Sequence, residues 1–545
     1  MGQPAASNQL KIGILTGDIE SLKNWEFRII NEILNHPGLE LTLFIKDGRT
    51  GANSFGDTLK RNIFAGKVLS NIIFALQLKI ESKLFKAKDT VDKNSIKDKI
   101  SDIDTVYLSP TRKGSLDIFS KDDADKIKKY DLDIILRHEF NTIRGDILNS
   151  SKYGVWDIRC ADNAIYRGGP AGFWEIVNNE PCCGVTLLSN GLVIDKAYYN
   201  LHWSFYRTAN NLSESSVALL FKNINKVLRT RELNAKKPLT YYHKLYEKPT
   251  MKYLFIYLFK FYLNVCRSIF NRILPVRTFC WNIFFGEGLF LESSLYKIKP
   301  QKLPKNVFWA DPFLYSYKDD LYVFFENYSY KTKRGKISVG KIVNGTVCEV
   351  EDVLDFDYHL SYPNIIEEDG ALFLIPETSG NRRLEVYRCI DFPNKWELYS
   401  TKFEGEEIAD ITYFQDENKE RWLFLNRGFI DHNAELYIYK IDNLKLENIE
   451  SHILNPVFID CRKGRNGGAI FKFENSYCRP SQINIQGIYG RGLQISRIKK
   501  LTLNEYEEEP VISIEPNFIK GLCGIHHLHQ IRGNFIFDGC FKRYV

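Results

Sequence analysis

The chain has no CxxC pair, no Walker-type phosphate loop, no GxGxxG and no HExxH motif. The usual zinc, P-loop, dinucleotide and zinc-protease readings are therefore excluded, and Gly13 and Gly17 after the first strand are too few to claim phosphate binding. Its 11 cysteines are odd in number and scattered, apart from the adjacent Cys182 and Cys183. They outline no disulfide framework and fit a reducing compartment. Met1 to Asn8 is polar, and no signal peptide is visible there. These signs set the expectation of a cytoplasmic protein, peripheral at the inner membrane. No uncharged apolar run approaches ~18 residues, so no transmembrane span is expected. The net charge, +7 from 74 Lys+Arg against 67 Asp+Glu, is mild for this length. It speaks for no nucleic acid partner and leaves room for anionic lipids or phosphorylated substrates.

What is present is ordinary globular material: 545 residues, 44% hydrophobic and 26% charged. That excludes disorder of the whole chain and implies two to four domains, at roughly 100–200 residues each. Aromatic content is high at 14%, with 37 Phe and 30 Tyr. Flat rings pack well on pleated surfaces, so many half-buried strands are expected.

Three regions differ in texture. Residues 1–235 read as α/β. Lys11–Gly17 is a buried strand, 21–35 a helix, Leu39–Ile45 a strand, 55–90 helical and basic, 90–104 a charged loop, and Leu132–Leu136 a third strand. Residues 236–300 form a connector. Its core, 251–274, is apolar and aromatic, with Lys260, Asn264, Arg267, Ser268 and Asn271 at helical spacing. This amphipathic helix is either an interfacial element on an anionic membrane surface or an interdomain helix.

Residues 301–545 change to short aromatic strands in a repeat. Phe308–Phe313 leads through Lys318–Asp320 to Leu321–Glu326, and Ser361–Ile365 leads through Glu368–Gly370 to Ala371–Glu377. Further units begin at Ala409, Gly467 and His526. A strand–turn–strand unit recurring at roughly 50–60 residues is the period of propeller blades, and five units predict a five-bladed β-propeller. In such a fold the residues that open strand one and close strand two of each unit converge on one mouth. Here they are Asp311, Ser361/Tyr362, Asp410 and His526/His527, with Arg465 nearby, against Glu326, Glu377, Asn426, Arg479 and Asp538. Carboxylates with Arg and His form either a sugar or anion site with acid–base capacity, or a salt-bridged seal of the channel.

The motifs Phe308-Trp-Ala-Asp-Pro-Phe313, His359-Leu-Ser-Tyr-Pro363, Ile375-Pro-Glu-Thr-Ser379, Asp410-Ile-Thr-Tyr-Phe414 and Tyr477-Cys-Arg-Pro480 resemble the N-terminal domain of plant glucosamine inositolphosphorylceramide transferases. That domain is related to five-bladed glycoside hydrolases of the arabinanase and xylosidase type. The resemblance implies that Asp311 matches the first of three hydrolase acids, a general base. The second position holds Ser361-Tyr362-Pro363 without an acid, and Asp410 stands where a general-acid Glu is usual. Glu377, on the returning strand, is a substitute carboxylate. The resemblance further implies that His526 or His527 lies near a metal ion at the propeller centre.

In the first region, Tyr130–Leu136, Gly154-Val-Trp-Asp-Ile-Arg-Cys160, Tyr166–Trp174, Gly184–Leu188 and Gly191-Leu192 resemble the formyltransferase fold of methionyl-tRNA and sugar N-formyltransferases. That family uses an Asn-x-His pair and a downstream Asp. The matching positions here are Asp157, Arg159 and Val193, with Asp195 two residues beyond. An arginine cannot serve as an ordinary base. Asp157 with Arg159 reads either as an ion pair or as a site for a charged group, and His138 either approaches the cleft or belongs to the scaffold.

The expectation is thus a multidomain α/β plus all-β chain, a formyltransferase-like α/β domain followed by a five-bladed β-propeller. The expected function is a carbohydrate-active enzyme of surface polysaccharide or glycolipid biosynthesis that takes a sugar or glycan. Asp311, Glu377 and Asp410 are its expected acids, and Arg465, Arg479, His526, His527, Glu326 and Asp538 its substrate-binding residues. The alternatives are a sugar N-formyltransferase using 10-formyltetrahydrofolate at Asp157, Arg159, Asp195 and His138, or a non-catalytic scaffold of a glycan assembly complex.

Overall fold

The computed structural model describes residues 9–49, 68–87, 90–235, 241–273 and 278–543. The chain divides into two compact units, Met1–Ala197 with Leu201–Tyr262, and Tyr198–Asn200 with Leu263–Val545.

The first unit is built on a seven-stranded sheet. Its strands are β1 (Leu10–Thr16), β2 (Leu39–Asp47), β3 (Thr105–Leu108), β6 (Ile134–Arg137), β8 (Val155–Arg159), β9 (Cys182–Ser189) and β10 (Leu192–Asn200). They lie in the order β10-β9-β8-β6-β1-β2-β3, while β4 (Thr111–Lys113), β5 (Leu116–Phe119) and β7 (Thr142–Gly145) form a small second sheet. The central strands β3, β2, β1, β6 and β8 pair in parallel, and β9 runs antiparallel to β8. A parallel sheet is covered on both faces, which is why β1 reads as an almost unbroken apolar run. Between β9 and β10, Asn190 and Gly191 have φ of 48° and 84°, the two left-handed residues of a type I′ hairpin.

Helices α1 (Asn24–Asn35), α2 (Val68–Leu84), α3 (Lys93–Lys99), α4 (Lys121–Lys128), α5 (Phe173–Asn178), α6 (Phe205–Thr230) and α7 (Met251–Ile273) complete the set among the described residues. In α1 the Lys23 N–H donates to the Glu26 carboxylate, closing the first turn, and Phe27, Ile30 and Ile33 face inward. The expected charged loop at 90–104 holds α3. Only Ile96 and Ile100 are buried there, too few to print a periodicity, and Asp92 caps the helix by accepting from the Asn94 and Ser95 N–H groups. Of the expected basic helix at 55–90, residues 55–67, 88 and 89 lie outside the described residues.

The second unit is mostly strand and forms five antiparallel sheets among the described residues. The first holds Val307–Tyr317, Asp320–Ser329, Arg334–Val343 and Thr346–Leu354. The second holds Ser361–Glu368, Ala371–Glu377, Leu384–Asp391 and Lys395–Lys402. The third runs from Ala409–Gln415 to Phe458–Ile459, and the fourth from Phe471–Phe473 to Tyr506–Ile514. The fifth joins Leu522–Gly524, Leu528–Ile531 and Asn534–Arg543 to Thr278–Glu287. That last strand corrects the reading of 236–300 as a helical connector. Thr278 pairs with Arg543 and so on to Glu287 with Asn534, so an early strand completes the sheet of the C-terminal one. Its core residues Ile283 and Phe284 are fully buried, and Phe284 stacks on Phe537 with centroids 4.9 Å apart.

Candidate functional site: a buried acid cluster in the second unit

Three strands of the second unit share one irregularity. The register between first and second strand slips between Ala310 and Phe313, between Ser361 and Asn364, and between Ala409 and Thr412. Inside these bulges Asp311, Tyr362 and Asp410 have φ of 50°, 47° and 45°. A left-handed conformation costs a residue with a Cβ about 1–2 kcal/mol. Three equivalent positions holding that strain mark a place where side-chain direction matters more than backbone ease. Next to each bulge, Ala310 faces Glu326, Ser361 faces Glu377 and Ala409 faces Asn426, so the residues closing each second strand lie beside those opening the first.

The acids come together around two cations. Arg465 Nε donates to Asp410 Oδ2 at 2.6 Å, and a second guanidinium nitrogen lies 3.7 Å from Glu377. Gln482 Nε2 also donates to Asp410 Oδ2 at 2.9 Å, and the Asp410 N–H donates to Glu377 at 3.2 Å. On the other side His526 Nδ1 lies 2.7 Å from Asp538, and its Nε2 lies 3.4 Å from Asp311. Asp538 is further held by the backbone N–H groups of Asp311, His526 and His527. Glu326 faces His359 at 3.5 Å.

Five carboxyls against Arg465 and His526 leave an excess of negative charge in a dry place. Burial is the largest influence on Asp311 and pushes its pKa up to about 8. His526 opposes that rise, and Asp538, Asp410 and Glu377 add to it. Asp410 is pushed to about 6 by burial, against the pull of Arg465. Glu326 is driven well above the usual carboxyl range by burial and by Asp311. Burial disfavours the His526 cation, but Asp538 and Asp311 hold its pKa above the ordinary value. At neutral pH Asp311 therefore keeps its proton while His526 pairs with Asp538.

Ring faces line the same place. Trp281 lies against His526 with centroids 4.0 Å apart, Tyr489 meets His526 at 5.2 Å, and Arg465 sits 4.9 Å from the Tyr489 ring. Tyr489 is 41% exposed and gives the cluster an aromatic rim. Tyr362 points inward instead: its hydroxyl meets Thr412 at 2.6 Å and accepts the Gly468 N–H at 2.9 Å. Gly468 has φ 127°, and a Cβ there would lie 1.8 Å from the Leu528 carbonyl oxygen, so the position needs glycine.

Asp311, His526 and Asp538 also offer ligand atoms within 4.8 Å of one another, which fits a small cation. His527 stands beside them, fully buried, its ring nitrogens without hydrogen-bond partners and Nδ1 3.6 Å from Asp311. Burial and the neighbouring His526 push its pKa well down, leaving it neutral as a ligand must be.

The structure thus gathers Asp311, Glu377, Asp410, Glu326, Asp538, His526, His527 and Arg465. It does not bring Arg479 to them as a free cation. The Arg479 side chain is fully buried, with Nε and a second nitrogen donating to Glu508 at 2.9 and 3.0 Å and another contact to the Lys463 carbonyl at 2.7 Å. Its role is to hold the fourth sheet. Gln482, Tyr489 and Trp281 are the site residues that sequence reasoning missed. Trp281 lay inside the supposed connector, and no motif announces the other two.

In the first unit the formyl-transfer set does not assemble. Asp157 is clamped at 2.5 Å by both Arg137 and Arg159. Asp195 bonds Lys222 at 3.1 Å and Asn223 at 3.2 Å. His138 stacks on Trp25 at 5.6 Å and lies 3.4 Å from Glu26. A carboxylate neutralised by two guanidiniums does not fit the acid–base work of transfer from 10-formyltetrahydrofolate.

Fold and site together define a buried cluster of five carboxyls around Arg465 and His526 on an all-β scaffold. Residues 296–524 match the family described as the N-terminal region of glucosamine inositolphosphorylceramide transferase 1. Curated relatives bear the name glucosamine inositolphosphorylceramide transferase 1. The one from Oryza sativa subsp. indica is 36% identical over 215 residues, covering 38% of this chain and 28% of the relative. The one from Arabidopsis thaliana is 33% identical over 216 residues, with the same coverage. The chain therefore spans just over a quarter of the length of these relatives. Among solved structures, a thermostable family-43 glycoside hydrolase is 12% identical with a TM-score of 0.34, covering 44% of this chain and 90% of that one. The catalytic domain of a family-62 α-L-arabinofuranosidase from Coprinopsis cinerea is also 12% identical at 0.34, covering 47% and 84%.

Proposed function

We propose that the chain is a carbohydrate-active enzyme of glycolipid or surface glycoconjugate biosynthesis, a transferase in type, and that its five sheets are the blades of a five-bladed propeller with sugar chemistry at the acid cluster. The observation that carries this reading is the pair Asp311 and Asp410, two strained carboxyls on equivalent bulges with raised and different pKa values. Pairs of acids whose environments push them apart are the mark of acid–base division of labour. Asp311, neutral at pH 7, gives its proton to the oxygen leaving a sugar carbon, in place of the general-base role that the hydrolase resemblance implies, while an acceptor hydroxyl bonds to that carbon and passes its proton to the Asp410 carboxylate. The carboxylate this leaves is stabilised by the His526 cation 3.4 Å away. Arg465 keeps Asp410 in place, and Tyr489, 41% exposed, supplies a ring face of the kind that pyranose rings stack on.

Transfer or binding, rather than plain hydrolysis, follows from the second bulge. Tyr362 stands there instead of an acid, and its hydroxyl is engaged by Thr412 and Gly468. The names of the curated relatives support a sugar-lipid substrate class. The test is saturation-transfer NMR on the full chain with a panel of free hexosamines, pentoses, uronic acids and inositol phosphates. At least one should bind, and Asp311→Asn and Arg465→Ala should weaken it. No binding across the panel, or binding that neither variant alters, would overturn the reading.

A further inference from the structure

Two helices of the first unit carry apolar side chains that the fold leaves in solvent. In α2 Leu69, Ile72, Leu76, Ile80 and Leu84 are 43–59% exposed, and their spacing of three and four puts them on one face. In α7, which belongs to this unit as far as Tyr262, Phe255 and Phe259 are 68% and 70% exposed along another. The helices are tied at two points. The Tyr257 hydroxyl donates to Glu81 at 2.5 Å, and the Tyr262 hydroxyl donates to Gln77 at 3.1 Å.

Charge says what such faces meet. α7 contains no Asp or Glu, and the one acid of α2, Glu81, is fully buried. Lys79, Lys83 and Lys86 are exposed along and just beyond α2, and Lys252 is exposed on α7. An apolar stripe edged by lysines and free of exposed acid complements an anionic lipid surface. A second copy of the chain would set the same lysines against each other.

Met251–Phe270 is long and apolar enough to cross a membrane, with mean hydropathy 1.2 and 17% of it buried. The opposite side of α7 nevertheless belongs to the protein. Leu254, Tyr257 and Phe261 are fully buried, and Lys260 donates to the carbonyls of Ile176 and Val177 and to Asn179 at 2.7–3.1 Å. A helix held in this way lies along a bilayer rather than through it. We infer that α2 and α7 together form a docking surface that seats the first unit in the interface of an anionic lipid bilayer. This stands independently of the sugar chemistry in the second unit.

The test is flotation of the full chain with vesicles of phosphatidylcholine alone and of phosphatidylcholine mixed with phosphatidylglycerol, without sugar present. The chain should float with the mixed vesicles, less with the neutral ones, and less as salt is raised. Leu76→Asp in α2 and Phe259→Asp in α7 should each weaken partitioning by about tenfold or more. Both positions are exposed, and unchanged circular dichroism melting is the folding control. The paired charge reversal Lys79→Glu with Lys83→Glu should weaken binding to the mixed vesicles alone. Four results would overturn the inference: no flotation of the wild type, indifference to Leu76→Asp, retention on membranes through alkaline carbonate extraction, or lipid-free self-association that both Asp variants abolish.

Discussion

One guanidinium serves two acids from two sheets: Arg465 Nε lies 2.6 Å from Asp410, and another of its nitrogens lies 3.7 Å from Glu377. The Asp410 N–H itself donates to Glu377, so without Arg465 the two carboxyls face each other in a buried site. Removing one partner of a buried pair typically costs about 3–5 kcal/mol, because the other charge is stranded. Arg465→Ala should destabilise the chain by that amount at pH 8 and by less at pH 5, where Asp410 takes a proton instead. Urea unfolding at the two pH values checks this, and an equal cost at both would show that the guanidinium acts by packing alone.

Asp410 gives a second pH signature. Its pKa is raised to about 6 from 3.8, with burial the largest cause. The folded chain therefore holds this proton more tightly than the unfolded one. The resulting stabilisation is complete below the unfolded value and is lost as pH rises through 6. The gap of about two pH units corresponds to about 3 kcal/mol. Asp410→Asn lacks this dependence, and by removing a charge that raises the Asp311 pKa it lessens the same pH dependence at Asp311. The stability difference should therefore move in favour of the Asn variant, by about 2 kcal/mol or more between pH 4 and pH 7, measured by chemical denaturation.

Tyr362 is a bulge residue whose hydroxyl works as an internal tie. It is fully buried, meets Thr412 and accepts the Gly468 N–H. Tyr362→Phe keeps the ring and strands that N–H, which should cost about 1–3 kcal/mol. Tyr362→Gly relieves the left-handed backbone but opens a cavity, and should cost more. Denaturant midpoints of the two variants decide the order.

How much of this was legible can be read residue by residue. The strand–turn–strand repeat placed Glu326 and Glu377 beside the bulges, because a period of two along each strand and a short turn fix which residues face each other. Ion-pair choice was not legible. Arg479 looks like its neighbours in the repeat, yet Glu508, far along the chain, claims it. Trp281 was hidden because nothing local says that Thr278–Glu287 pairs with Asn534–Arg543. Tyr489 and Gln482 enter the cluster from the fourth sheet, and their sequence surroundings are those of any exposed strand. The acidic, low-apolar stretch around α3 reads as a loop because helix formation there rests on a cap and two buried isoleucines.

The pairing of Thr278–Glu287 with the C-terminal strand makes a last prediction. Phe284 is fully buried between Phe537, stacked at 4.9 Å, and Phe290 and Leu522 in the same core. Removing a buried phenyl ring costs about 3–5 kcal/mol, through lost transfer energy and the cavity left behind. The exposed Phe279 on the same strand offers a control whose loss should cost little. Phe284→Ala should therefore lower the melting temperature of the second unit and expose Asn534–Arg543 to limited proteolysis, while Phe279→Ala should do neither. If the strand only decorates the fifth sheet, Phe284→Ala will leave the C-terminal segment as protected as in the wild type.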